Sequence, residues 1–159
     1  MFTGRLVGIY TVAEAAKPLE SRDEVRAIAG VGLEGDRYGS AKAGSFSDRP
    51  GTGREVTLVE REAIAAVNAE GNVVLGQDET RRNLVTEGVP LTHLVGKTFR
   101  VGDVVLHGMR LAEPCAHLAS LTRPGVSRAL VHRGGLRAEI VEGGVLRVGD
   151  TIAEVGAPV

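Results

Sequence analysis

The chain has 159 residues, enough for one domain burying roughly two-thirds of its unfolded surface, and 19 basic against 20 acidic side chains give a net charge of −1. That balance, with aromatics at 3% and no tryptophan, excludes a non-specific nucleic-acid binder and a base-stacking platform. One cysteine excludes an internal disulfide, and no stretch approaches the ~18 apolar residues of a membrane span, so a cytoplasmic protein with neither nucleic acid nor membrane as partner is expected.

Twenty-two glycines separate short apolar runs, the pattern of a mainly β chain. "GRLVGIYTV" (4–12) and "DEVRAIAGV" (23–31) read as the first two strands. "GLEGDRYGS" then leaves the sheet through glycine turns. The small, polar stretch from about 39 to 53 is expected to be a loop beside a site, mobile without ligand and ordered by it. "REVTLVE" (54–60) is the next strand, and "REAIAAVNAE" (61–70), with Ile64 and Val67 at helical spacing and Gly71 behind it, predicts a helix of about three turns.

"RRNLVTEG" (81–88) reads as a short strand and turn in which Arg81 and Arg82 face opposite ways. "GKTFRVGDVVLHGMRLAEP" (96–114) predicts two strands joined through a tight Val-Gly-Asp turn. "GGVLRVGDTIAEV" (143–155) carries the same Arg-Val-Gly-Asp device, so two hairpins of similar build are expected.

Nucleotide chemistry finds no support. "GKT" at 96–98 lacks the glycine five residues earlier that a Walker loop needs, since Leu91 stands there. The alternation of strand and helix that a dinucleotide fold requires is absent as well. The four histidines, His93, His107, His117 and His132, have no zinc-specifying spacing, although Cys115 and His117 stand two residues apart. Cys115 follows Pro114. Proline favours the first helical position, and there unsatisfied N–H groups favour a thiolate, a nucleophile or soft metal ligand. The same short stripe of Cys115, Leu118 and Ala119 also suits a core-facing turn with a merely packed sulfur.

Taken in order, "GLEGDRYG", "REVTLVEREAI", "RRNLVTEGVPLTHLVGKTFRVGDVVLHGMRLAEPCAHL" and "HRGGLRAEIVEGGVLRVGD" resemble the MOSC family, named for the C-terminal domain of molybdenum cofactor sulfurase. The resemblance runs from about residue 5 to the end and implies a single domain over 1–159 with a β-barrel-like fold and a few short peripheral helices. It makes Cys115 the functional sulfur, either a thiolate ligand to the molybdenum of a pterin cofactor (molybdopterin) or a persulfide carrier. It places Arg82 and Asn83 in the cofactor pocket, with Arg81 and His117 as further candidates, and Arg82 rather than Arg81 as the contact for the anionic end. Pyridoxal phosphate (PLP) is expected on a partner cysteine desulfurase and not on this chain, which offers no recognisable Schiff-base lysine. Some small bacterial members of this kind look like molybdenum-dependent reductases of N-hydroxylated bases and amidoximes, which implies an electron-donor partner. A sulfur carrier and a non-catalytic small-anion binding module are the alternatives.

Overall fold

The computed structural model describes residues 2–14, 17–36, 55–71, 74–112, 130 and 133–155. About half of these lie in eleven strands: β1 (Thr3–Thr11), β2 (Glu20–Arg22), β3 (Glu24–Ile28), β4 (Gly32–Leu33), β5 (Val56–Glu60), β6 (Leu84–Glu87), β7 (Thr98–Val101), β8 (Val104–Leu111), β9 (Leu136–Glu142), β10 (Gly144–Arg147) and β11 (Thr151–Glu154). Seven of them close into a barrel in the order β11-β7-β8-β9-β5-β6-β1, with β11 returning to β1. Closure is possible because β1 is long. Its first residues pair β11 through Thr3, Gly4 and Arg5, while its last three pair the short β2. A second sheet of β10, β3 and β4 lies beside the barrel.

The barrel interior is aliphatic. Leu6, Leu58, Leu84, Leu106 and Leu136 are fully buried there around Phe99. Each such side chain contributes about 1.5–3 kcal/mol of transfer free energy.

β5 and β6 run parallel, and the helix α1 (Arg61–Glu70) makes the crossover between them. Ile64 and Val67 on α1 pack against Val59 and Val85, the outward residues of those strands, with Leu75 and Leu130. Covered on both faces, β5 is buried at four successive positions, Val56 to Val59, and not at alternating ones. α1 ends as expected at Gly71, whose left-handed φ of 79° stops the helix.

Three expectations are corrected. The second Arg-Val-Gly-Asp stretch is not a hairpin. In the first, Val101 pairs with Val104 around Gly102 at φ 59°, a two-residue turn between partners. In the second, β10 pairs β3 in the small sheet while β11 pairs β7 and β1 in the barrel. The local chemistry reverses the chain in both cases, as the bond donated by Arg147 N to Asp150 Oδ2 (2.8 Å) attests. Burial of Leu146 beside β3 and of Ile152 in the barrel then sends the flanking strands to different sheets. "DEVRAIAGV" holds the third strand rather than the second, because the exposed tripeptide of β2 precedes it. Arg81 and Arg82 lie before β6, not within it.

Glu60, at the N-cap of α1, is half-buried. Burial pushes its carboxyl above the ordinary carboxylate range, Glu62 adds to the rise, and the Leu91 N–H and His93 oppose it. A carboxyl whose pKa rises on folding holds its proton more tightly in the native state. Its favourable contribution is therefore complete below the unfolded pKa and is lost as pH rises through the folded value. Glu60→Gln, which keeps an acceptor for Leu91, is expected to melt above the wild type at pH 7. The difference should shrink toward zero below about pH 4, where both proteins are neutral at this position. Equal melting temperatures at pH 7 would contradict this.

Candidate functional site

The approach to β6 is built by a short 3-10 turn, Asp78–Thr80, which ends at Arg81. Arg81 is the one described non-glycine residue with positive φ, 61°, and its N–H donates to Asp78 O at 3.2 Å. That left-handed residue, and not strand alternation, separates the two arginines. Arg81 sends Nη1 to the carbonyl of Lys17 on the rim. Arg82 turns inward and is 6% exposed.

The Arg82 guanidinium spans two backbone carbonyls: Nε donates to Gly134 O at 2.7 Å and Nη2 to Ala112 O at 2.8 Å. The same two chain segments also meet directly, where Ala112 N donates to Gly135 O at 2.8 Å. Asn83 is 8% exposed. Its Oδ1 accepts from Thr57 N (3.1 Å) and Thr57 Oγ1 (3.2 Å), and its Nδ2 donates to Tyr10 O (3.1 Å). Asn83 thereby laces β5 to β1 across the start of β6. Tyr10 in turn donates from its hydroxyl to Gln77 Oε1 at 2.9 Å, and burial, helped by Asp78, pushes its phenol upward.

Three charged side chains are buried among the described residues, Asp36, Glu55 and Arg82. Asp36 Oδ1 accepts from Val12 N at 3.0 Å, at the end of β1. Glu55 Oε1 accepts from Gly30 N (3.2 Å) and Ile140 N (3.0 Å), tying the small sheet to β9. In the sequence Asp36 precedes residues 37–54 and Glu55 follows them, while the two carbonyls held by Arg82 bracket residues 113–133. All three buried charges therefore stand where the chain enters or leaves those two stretches.

Register adds a feature that sequence reading missed. Arg110 on β8 lies opposite Arg137 on β9, and Arg137 lies opposite Thr57 on β5. Leu58 and Leu136 fill the interior, so by strand alternation this row faces the outer wall. Twenty-seven positions separate the two arginines, and nothing local in either heptad of sequence signals that they meet. Asp36 lies inside "GLEGDRYGS" and Glu55 is the second residue of "REVTLVE". Their only signal was an acidic residue at a strand end.

Cys115, His117, His132 and the stretch 39–53 lie outside the described residues. His93 is exposed on the 3-10 turn Leu91–Leu94. His107 on β8 pairs through Nδ1 with Thr98 Oγ1 at 3.0 Å. Among the described residues no group of three or more His, Cys, Asp or Glu stands together as a metal cage, and no helix is long and apolar enough to cross a membrane.

A closed β-barrel with one crossover helix and a satellite sheet is the class of structure these elements define. Residues 43–153 match the model of the MOSC domain, and the chain belongs to the MOSC family. Solved structures of similar fold include the YuaD protein of Bacillus subtilis, 20% identical with a TM-score of 0.77, covering 96% of this chain and 97% of that one. YiiM of Geobacillus stearothermophilus is 14% identical with a TM-score of 0.71, over 96% of this chain and 75% of its own. YiiM of Escherichia coli is 16% identical with a TM-score of 0.67, over 97% and 71%. A comparison with curated proteins found no match.

Proposed function

We propose that this chain binds molybdenum cofactor through the thiolate of Cys115 and reduces N-hydroxylated compounds. The observation that carries the reading is the family match over 43–153, which takes in both the Arg82–Asn83 corner and Cys115. The donor set suits the group. A thiophilic metal that arrives with sulfur ligands of its own needs one soft donor from the protein, and the only thiol in the chain is Cys115. The anionic end of a pterin calls for arginine: Arg110 and Arg137 lie on the strands that enter and leave the bracketed stretch, and Arg81 on the rim turn is a further candidate. His117 is the candidate to meet the group beside Cys115.

When bound, the cofactor supplies a two-electron redox centre. The protein's part is to hold the thiolate, neutralise the anionic end and admit substrate. Conversion of R–NH–OH to R–NH2 and water consumes two electrons and two protons, so an electron-donor protein is the partner this chemistry requires, in the cytoplasm.

Metal analysis of protein produced in a host that makes the cofactor tests the reading, with molybdenum near one atom per chain as the expected result. Persulfide on Cys115 without molybdenum would replace it with the sulfur-carrier reading, in which a cysteine desulfurase is the partner. Neither metal nor persulfide would leave a small-anion binding module.

A further inference from the structure

We infer that Arg82 and Asn83 are positioning residues: they fix the two ends of the stretch 113–133 against the barrel wall rather than serve as direct contacts for a bound anion. Two hydrogen bonds from the Arg82 guanidinium go to backbone carbonyls on either side of that stretch, Ala112 O at 2.8 Å and Gly134 O at 2.7 Å. A planar guanidinium presents Nε and Nη2 in a fixed fork, so it can hold two carbonyls at a set separation. Asn83 keeps the fork in place from behind. Its oxygen accepts two bonds from Thr57 and its Nδ2 donates to Tyr10 O, so the backbone next to Arg82 is locked to β5 and β1. Arg82 N also donates to Thr80 Oγ1 at 3.3 Å, which sets the direction of the side chain from the preceding turn. The fork thus works through Ala112, three residues before Cys115 in the chain. The inference stands on these contacts whether or not molybdenum is bound.

Its test uses the full chain from a host that makes no molybdopterin, so that no cofactor contributes to any reading. Amide exchange is followed at Ala112, whose N–H donates to Gly135 O, with the β7–β11 ladder as the measure of global folding. Arg82→Met and Arg82→Lys are both expected to exchange at Ala112 at least about tenfold faster than wild type with the ladder unchanged, since buried charge-assisted bonds are lost in each. Lysine keeps the charge but not the fork. An anion-contact role would instead leave Ala112 as protected as in wild type in the cofactor-free lysine variant. Gly71→Ala, which strains the φ 79° end of α1 without touching this corner, should leave Ala112 exchange at the wild-type rate. Wild-type protection at Ala112 in both Arg82 variants, or an equal acceleration there in Gly71→Ala, would overturn the inference.

Discussion

Gly135→Ala is expected to lower stability by roughly 3–5 kcal/mol, among the largest losses a single added methyl can cause. Gly135 has a φ of 108°, and a Cβ built there would lie 1.8 Å from the carbonyl oxygen of Leu58 and 3.2 Å from Val59 Cα. Both neighbours are backbone of β5, so no side chain can swing away. The left-handed conformation alone costs about 1–3 kcal/mol for a residue with a side chain. Relief would require β9 to move off β5, which would also break the bond from Ala112 N to Gly135 O. Urea unfolding measures the loss directly, and a decrease below about 1 kcal/mol would contradict the packing described.

Asn83→Ala is the second large effect, expected to cost roughly 2–4 kcal/mol. It removes three side-chain hydrogen bonds at a buried position and strands the Tyr10 carbonyl of β1, while Thr57 on β5 loses its acceptor. Buried polar groups without partners pay their desolvation cost in full, which is why alanine here is worse than the loss of three average bonds at a surface. A double-mutant cycle with Thr57→Val isolates the Asn83–Thr57 part. The two substitutions should be markedly less than additive, and strict additivity would show that the lacing across β6 is not where the energy lies.

The strands were legible in the sequence because strand chemistry is local, whereas the barrel was implied by the family resemblance. The glycine spacing and the apolar runs placed β1, β5 and α1 within a residue or two of their observed bounds, and β7 and β8 as two strands within 96–114 joined at the Val-Gly-Asp turn. Pairing was another matter. The two Arg-Val-Gly-Asp turns are identical in sequence, yet one joins partners and the other joins two sheets, and only long-range burial of Leu146 and Ile152 decides between them. β2, with all three residues exposed, has no apolar pattern to read. For the site, Arg82 and Asn83 were singled out through the family resemblance, while their hydrogen-bond partners Ala112, Gly134, Thr57 and Tyr10 are distant in sequence and ordinary in kind. The left-handed turn at Arg81 is equally silent, because arginine seldom adopts that conformation.

The measurement that tests the central claim most directly is the molybdenum content of Cys115→Ser beside wild type, both produced in a host that makes the cofactor. Serine is close in size to cysteine, so folding should persist, while its hydroxyl stays protonated near neutral pH and is a hard, poor donor to a thiophilic metal. The account predicts molybdenum near one atom per chain in the wild type and essentially none in a folded Cys115→Ser protein. A Cys115→Ser protein that retains its full complement of molybdenum would contradict it, and would leave Cys115 as a packed sulfur with no part in holding the metal.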